Sequence, residues 1–299
     1  MKPEKIKVRM QYPWKFTDSA YYKYLFINPP KNIEYLNRIG KSGAMASMRK
    51  FQFFNWLKQT IKKMVRAFHL PIPNAHYTKK GDYDLIHCAH CLSLNKKTPG
   101  VADIEYPNQF YVGDAPSKMT KKMVRKILLR KNCKKILAWT EWGKKGILKE
   151  FPEIKDKIEV VYPAMPVQTF KKPESDGKIR LLFVSRRFYF KGGLIAIEVM
   201  DRITKKNKNV EGIIVSEIPE EIKKKYSENA QIKILPVMPQ KKLFKEIYPK
   251  ADIFLYPSPT DTFGFAITEA MAFGLPVIGV SRHSRKELID EGKTGYVIG

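Results

Sequence analysis

Short apolar runs alternate along this chain with longer stretches in which apolar residues return every three or four positions. The first pattern is that of strands buried in a parallel sheet, the second that of helices covering it, so the chain reads as a series of βα units. In the first half, strands are expected over Ile6–Met10, Asp84–His87, Gly100–Glu105, Lys135–Trp139 and Ile158–Tyr162. In the second half they are expected over Ile179–Val184, Glu211–Val215, Gln231–Leu235, Asp252–Tyr256 and Val277–Val280, with one more finishing in Gly295–Gly299. Between the sets, Phe170–Lys178 is polar, broken by Pro173 and Gly177, and reads as a linker. Two α/β domains follow, residues 1–172 and 173–299, each large enough for its own core. No solenoid repeat is visible.

Two of the expected helices are amphipathic. Over Arg49–Leu70, the residues Phe54, Leu57, Ile61, Met64, Val65 and Phe68 share a stripe, with Lys58, Lys62, Lys63 and Arg66 largely off it. Over Ser117–Lys131 the stripe is Met119, Met123, Ile127 and Leu128, set against Lys118, Lys121, Lys122 and Arg125. The ordinary arrangement packs both stripes on a sheet and turns the basic faces to solvent. There each Lys or Arg could also hold anionic lipid at about 1 kcal/mol. Phe51, Phe53 and Trp56 would suit such an interface. Lys58, Lys62, Lys63 and Arg66 are therefore candidate contacts to a membrane or an acceptor.

Composition sharpens this picture. A hydrophobic content of 43% is that of a globular protein. The net charge of +27 is uneven: residues 1–170 hold 33 Lys and Arg against 13 Asp and Glu, a balance of +20. An anionic partner for the first half is implied, whether phosphate, nucleic acid or an acidic membrane. No recognised nucleic-acid motif accompanies the charge, which alone gives only salt-sensitive, non-specific affinity. Three cysteines, Cys88, Cys91 and Cys133, form no disulfide framework and suit a reducing compartment. Met1–Lys5 leads into no apolar h-region, and no run approaches the roughly 18 residues of a spanning helix. A cytoplasmic protein is the expectation.

The candidate chemistry lies in the second half. Tyr256–Val277 reads Tyr-Pro-Ser-Pro-Thr-Asp-Thr-Phe-Gly-Phe-Ala-Ile-Thr-Glu-Ala-Met-Ala-Phe-Gly-Leu-Pro-Val. A strand leads into a loop with Asp261, then a helix over Ala266–Phe273 carries Glu269 and stops at Gly274 and Pro276. Upstream, Leu181–Arg186 is followed by Lys191-Gly192-Gly193. The strand would bring Arg186, and its loop Lys191, to the same C-terminal sheet edge, where open α/β sheets bind ligands. Two fixed cations there could neutralise a diphosphate, the Arg in a bidentate way and the Lys as a point charge.

Two acids separated by seven residues around Phe263-Gly264-Phe265, followed by Ala-Met-Ala-Phe-Gly-Leu-Pro-Val, resemble the signature of retaining glycosyltransferases of the GT-B fold. The Ser185-Arg186 and Lys191-Gly192 element resembles the same family's diphosphate-binding loop. The resemblance covers 178–299 closely and 80–170 in outline. It implies two Rossmann-like domains with a cleft between them. It also implies that Arg186 and Lys191 serve the diphosphate, Glu269 the ribose hydroxyls and Asp261 the donor-sugar hydroxyls. Phe263, Gly264 and Phe265 would line the donor. Front-face transfer follows, with no covalent nucleophile, no cofactor and no bound metal. The departures are plain. Asp261 stands where Glu is usual and Ser185 where Gly is usual. Ser216–Pro219 and Leu235–Pro239 replace glycine-containing turns, so Val237 and Met238 are assigned to the base only by position. The first turn, Gln11–Asp18, lacks glycines, and the usual final helices are missing, as in a shortened or truncated enzyme. For Asp261 the alternative role is that of a helix N-cap.

In the first half, Asp84-Leu85-Ile86-His87-Cys88-Ala89-His90-Cys91 ends a strand. His87 matches a family histidine that faces the donor sugar, and His90 is one residue off a second. A plain strand end, or metal or redox chemistry through Cys88 and Cys91, stays open, although structural zinc usually needs a second ligand pair. Gly292-Lys293-Thr294 is no P-loop, because Glu287 stands where the first glycine belongs. The expected function is transfer from a nucleotide-diphosphate sugar to an acceptor, which the basic first half frames as lipid-linked or at the membrane surface. A non-catalytic nucleotide-sugar-binding or scaffold module, and a basic nucleic-acid binder, are the alternatives.

Overall fold

A computed structural model describes residues 5–12, 20–37, 48–113 and 117–299, with the side chains of 20, 21 and 48–55 left aside. The chain divides into two compact units, residues 1–164 and 165–299. The division falls eight residues before the expected boundary at 172. Gln168 donates its N–H to the Ala272 carbonyl (2.9 Å), and the Phe170 ring packs on Phe273 at 5.0 Å. These contacts attach the start of the linker to the second unit.

In the first unit the strands are β1 (Ile6–Gln11), β2 (Ile33–Tyr35), β3 (Ala75–His76), β4 (Leu85–Ala89), β5 (Leu92–Ser93), β6 (Gly100–Ile104), β7 (Cys133–Ala138) and β8 (Ile158–Val160). Its helices are α1 (Ala20–Ile27), α2 (Met48–Ala67), α3 (Lys118–Leu128) and α4 (Glu141–Glu150). Six strands form a parallel sheet in the order β2-β1-β4-β6-β7-β8, and β3 pairs with β5 separately. The order reverses between β1 and β4, so their C-terminal ends flank the switch point where such sheets take ligands.

Helix α3 is capped by Ser117, whose Oγ accepts from the Thr120 N–H at 3.1 Å. Its buried face is Thr120, Val124, Ile127 and Leu128, while Met119 and Met123 are exposed. The expected methionine stripe is thus displaced by one position. Thr120 tolerates the inner face because its hydroxyl is hydrogen-bonded to that of Ser117 (2.8 Å), which removes the penalty for burying it. Helix α2 departs further. Val65 is buried, but Leu57, Met64 and Phe68 are exposed, Phe68 at 72%. The expected packing of this stripe on the sheet is corrected by the contact actually made. The helix rests against Gly113 through the Lys62 carbonyl and the Val65 side chain, a narrow seam that leaves the flanking apolar residues outside. Phe51, Phe53 and Phe54 lie outside the described side chains.

The second unit comprises β9 (Ile179–Ser185), α5 (Gly193–Lys206), β10 (Val210–Ser216), α6 (Glu220–Tyr226), β11 (Ile232–Leu235), α7 (Gln240–Glu246), β12 (Ile253–Tyr256), α8 (Phe265–Ala272), β13 (Val277–Val280), α9 (Arg285–Leu288) and β14 (Gly295–Ile298). All pairs are parallel in the order β11-β10-β9-β12-β13-β14. Counted from β9, this is the doubly wound order 3-2-1-4-5-6, with its switch point between β9 and β12. Both faces are covered, as a parallel sheet requires. Because side chains alternate, Leu182, Phe254 and Tyr256 join one core with Tyr248, Ile267 and Phe273. Leu181, Phe183 and Leu255 join the other, with Ile197 and Met200 of α5. No helix among the described residues is long and apolar enough to cross a membrane.

Candidate functional site

The loops after β9 and β12 meet at the switch point of the second unit. After β9 the chain runs through a short 3-10 turn, Tyr189–Lys191, and enters α5 through Gly192 at φ 76°. A Cβ at Gly192 would collide with the Pro257 carbonyl, so only glycine brings the two loops this close. Thr260 Oγ1 donates to the Phe190 carbonyl (2.8 Å) and ties them further. Lys191 Nζ lies 2.7 Å from Asp261 Oδ2. The Tyr256 hydroxyl donates to the same carboxylate oxygen.

Asp261 therefore sits in a half-buried, compensated environment. Burial raises its pKa, but Lys191, the Tyr256 hydroxyl and Arg285 together hold it below the ordinary value. The reverse effect appears on Tyr256, whose burial and proximity to Asp261 push its hydroxyl well up. Asp261 is not the cap of α8. That position belongs to Gly264 at φ 87°, and no side chain caps the first turn. Phe263 is buried and meets Phe265 edge-on at 5.0 Å, which fixes the turn on either side of Gly264.

Glu269 lies on α8. Its Oε1 accepts from Gln240 Nε2 (2.6 Å) and its Oε2 from the Tyr248 hydroxyl (2.9 Å). Both of these donors are neutral side chains. Arg186 is exposed, directly after the last residue of β9. Val237 lines a groove of about 770 Å³ with Ser216, Pro219, Tyr226 and Leu235, whereas Met238 packs against the core. The two residues proposed together for the base are thus not equivalent.

In the first unit, His87 is buried in the middle of β4. Its Nε2 lies 2.7 Å from Asp103 Oδ2 on the neighbouring strand β6, and its Nδ1 lies 3.4 Å from the Tyr35 hydroxyl on β2. Both ring nitrogens are thus engaged within the unit. His90 has φ 55°, hydrogen-bonds Gln109 Oε1 through Nδ1 (3.2 Å) and packs on Trp139 at 4.6 Å. Burial pushes its pKa down. Cys88 and Cys91 are buried free thiols, and burial pushes the Cys91 thiol well up. Among the described residues no group of three or more His, Cys, Asp or Glu is placed to hold a metal ion. Lys62 is half-buried on α2, with Lys63 and Arg66 exposed and Lys58 half-buried.

Sequence reasoning missed Tyr256, Gln240, Tyr248 and Arg285. The tyrosines read as strand and core residues, and nothing in the local pattern sets Gln240 or Arg285 apart from surface positions.

Two parallel α/β units, the second doubly wound with an ion pair at its switch point, define the GT-B class of fold. The structure of HepE from Anabaena in complex with UDP shares that fold. It superposes with a TM-score of 0.61 at 15% identity, covering 98% of this chain and 85% of HepE. Residues 165–299, the whole of the second unit, match the family described as glycosyl transferases group 1. Among curated relatives, a probable sucrose-phosphate synthase of Thermosipho melanesiensis is 32% identical over 164 residues, 50% of this chain and 38% of that protein. A D-inositol 3-phosphate glycosyltransferase of Corynebacterium kroppenstedtii is 23% identical over 239 residues, 71% of this chain and 50% of that protein. The chain thus spans half or less of the length of these two relatives.

Proposed function

We propose that this chain is a retaining glycosyltransferase that moves a sugar from a nucleotide-diphosphate sugar to an acceptor. The observation that carries the reading is the Lys191–Asp261 ion pair at the β9/β12 switch point, with Glu269 further along α8. In this reading Lys191 and Arg186 face the diphosphate, where negative charge grows as the sugar C1–oxygen bond breaks. The first-turn N–H groups of α8, which no side chain caps, add to that field. Asp261 holds donor-sugar hydroxyls and Glu269 the ribose. The acceptor oxygen attacks from the face the diphosphate leaves, and the leaving diphosphate takes the acceptor proton. The chemistry needs neither a covalent nucleophile nor a metal. Phe263, Gly264, Phe265 and Val237 line the donor.

The acceptor is proposed to be lipid-linked or membrane-borne, with the first unit docking on an anionic bilayer at the cytoplasmic face. Support comes from α2, which exposes Trp56, Met64 and Phe68 beside Lys63 and Arg66. An amphipathic surface of that kind binds interfaces reversibly.

Thermal shift against UDP, GDP, ADP and their sugars is the first test, since a ligand bound only by the native state raises Tm. HepE, crystallised with UDP, makes the uridine series the one to try first. A stabilising nucleotide sugar should then be consumed with retention at the anomeric carbon. No stabilisation and no turnover across the panel would reject the enzyme in favour of a scaffold.

A further inference from the structure

Arg285 is fully buried, with 0% of its surface exposed, in a unit where nearly every other Arg and Lys reaches solvent. Burying a guanidinium is costly unless it is paired and hydrogen-bonded. Here its Nη1 donates to the Asp261 carbonyl and its Nη2 to the Ser258 carbonyl (3.1 Å). The guanidinium also lies over the Tyr256 ring, 5.3 Å from the centroid, and Tyr256 is the residue whose hydroxyl donates to the Asp261 carboxylate. Its Nε finds no hydrogen-bond partner among the described residues, so the two carbonyls and the Tyr256 ring carry the compensation for its burial.

Its neighbours act on the same loop. Ser284 is buried, and its Oγ donates to the Thr262 carbonyl. The His283 ring hydrogen-bonds the Pro259 main chain, from a backbone with φ 51°. Three consecutive residues at the start of α9 thus hold the main chain of Ser258, Pro259, Asp261 and Thr262. That segment is the β12–α8 loop, and it carries the carboxylate paired with Lys191.

We propose that the His283–Ser284–Arg285 turn is a clasp that sets the β12–α8 loop, and that Arg285 is a positioning residue for Asp261. This rests on the donor-site reading above for its catalytic consequence, but not for its structural one. Loop carbonyls gripped by a buried cation cannot rotate without losing charge-assisted hydrogen bonds. The carboxylate of Asp261 is thereby held at Lys191 before any donor arrives.

Hydrogen exchange on the free protein tests the clasp without any ligand. Arg285→Met should speed amide exchange about tenfold or more over residues 258–264, the scale for losing a hydrogen bond to a charged group, with the rest of the second unit unchanged. Ser284→Ala, which removes one bond and strands no charge, should give a smaller acceleration confined to the same segment. With whichever nucleotide sugar the wild type turns over, Arg285→Lys should lower kcat about tenfold to a hundredfold, as misplacement of a reacting group does. Affinity for the free nucleoside diphosphate should stay within about twofold, because Glu269 is untouched. Unchanged exchange over 258–264 in both variants, or acceleration spread over the whole unit, would overturn the proposal. Local acceleration in a protein that turns over no nucleotide sugar would uphold the clasp and reject the enzymatic reading instead.

Discussion

Lys191 Nζ stands 2.7 Å from Asp261 Oδ2, joining the loop after β9 to the loop after β12 across the switch point of the sheet. Each member compensates the other, so neither charge is stranded in a half-buried place. A diphosphate arriving beside Lys191 would draw on the same cation. The carboxylate would then be released toward the hydroxyls of the sugar that the diphosphate carries.

Lys191→Ala should lower turnover by about 10²–10³, the scale for losing one donor that stabilises developing charge. It also leaves Asp261 without its cation, so Lys191→Met, Asp261→Asn doubly substituted protein is the control for charge imbalance. Arg186, exposed just after β9, should show a similar kinetic loss when changed to Ala. Steady-state rates near wild type in both single variants would remove the donor-site assignment.

Glu269→Ala and Asp261→Ala should separate the two halves of the donor. The first leaves Gln240 and Tyr248 without their acceptor and should weaken binding of nucleotide and nucleotide sugar alike. The second should spare the free nucleotide and harm sugar transfer. Calorimetric titration of each variant with both ligands reads the split, and equal losses throughout would mean that the roles are misassigned.

The pH dependence of stability follows from Asp261. Its pKa is held below the ordinary 3.8 by Lys191, Tyr256 and Arg285 despite burial. A carboxyl depressed in the folded state stabilises the fold fully above its unfolded value, and that share is lost as pH falls through the folded one. Melting curves of wild type and Asp261→Asn should therefore keep their full gap above about pH 5 and close it as pH falls below the ordinary carboxylate value. A gap independent of pH would show that ionisation of Asp261 adds nothing to the fold.

How much of this was legible in the sequence differs by residue. The strands from Ile179 to Val280 were readable because both faces of a parallel strand are apolar, and each expected span lies within a residue or two of the observed one. Strand β2, Ile33–Tyr35, escaped because three residues after a Pro-Pro pair are too few to make a pattern. Asp261, Lys191 and Glu269 were readable from motif spacing. Their partners were not, since Arg285 reaches the Asp261 loop from the segment after β13 and Tyr248 reaches Glu269 from the 3-10 turn before β12. Such contacts are set by the fold and leave no local period. The methionines of α3 misled for a related reason: the Ser117 cap fixes the helix phase and turns Thr120 inward, where hydrophobicity alone places Met119.

Activity should survive EDTA, because the proposed charge stabilisation comes from Lys191, Arg186 and main-chain N–H groups. Assay after chelation and again after adding back Mg²⁺ or Mn²⁺ reads this directly. A complete loss restored by the ion would overturn the metal-free mechanism and turn attention back to His87, Cys88 and Cys91.

The first unit should bind anionic but not neutral vesicles. Its balance of +20 over residues 1–170 supplies long-range attraction. Exposed Trp56, Met64 and Phe68 on α2 supply apolar contact at close range. Each Lys or Arg near the surface contributes about 1 kcal/mol, so a handful is enough for reversible docking. Attraction should fade with salt as the Debye length shrinks from about 10 Å at 0.1 M to about 3 Å at 1 M. Co-sedimentation separates the two contributions. Changing Lys58, Lys62, Lys63 and Arg66 to Glu should abolish the low-salt binding. Met64→Ser with Phe68→Ser should leave the low-salt attraction and remove the part that persists in high salt. If the unmodified chain fails to sediment with anionic vesicles at low salt, its charge serves soluble anionic substrates instead. The transferase reading, which rests on the other unit, would be unaffected.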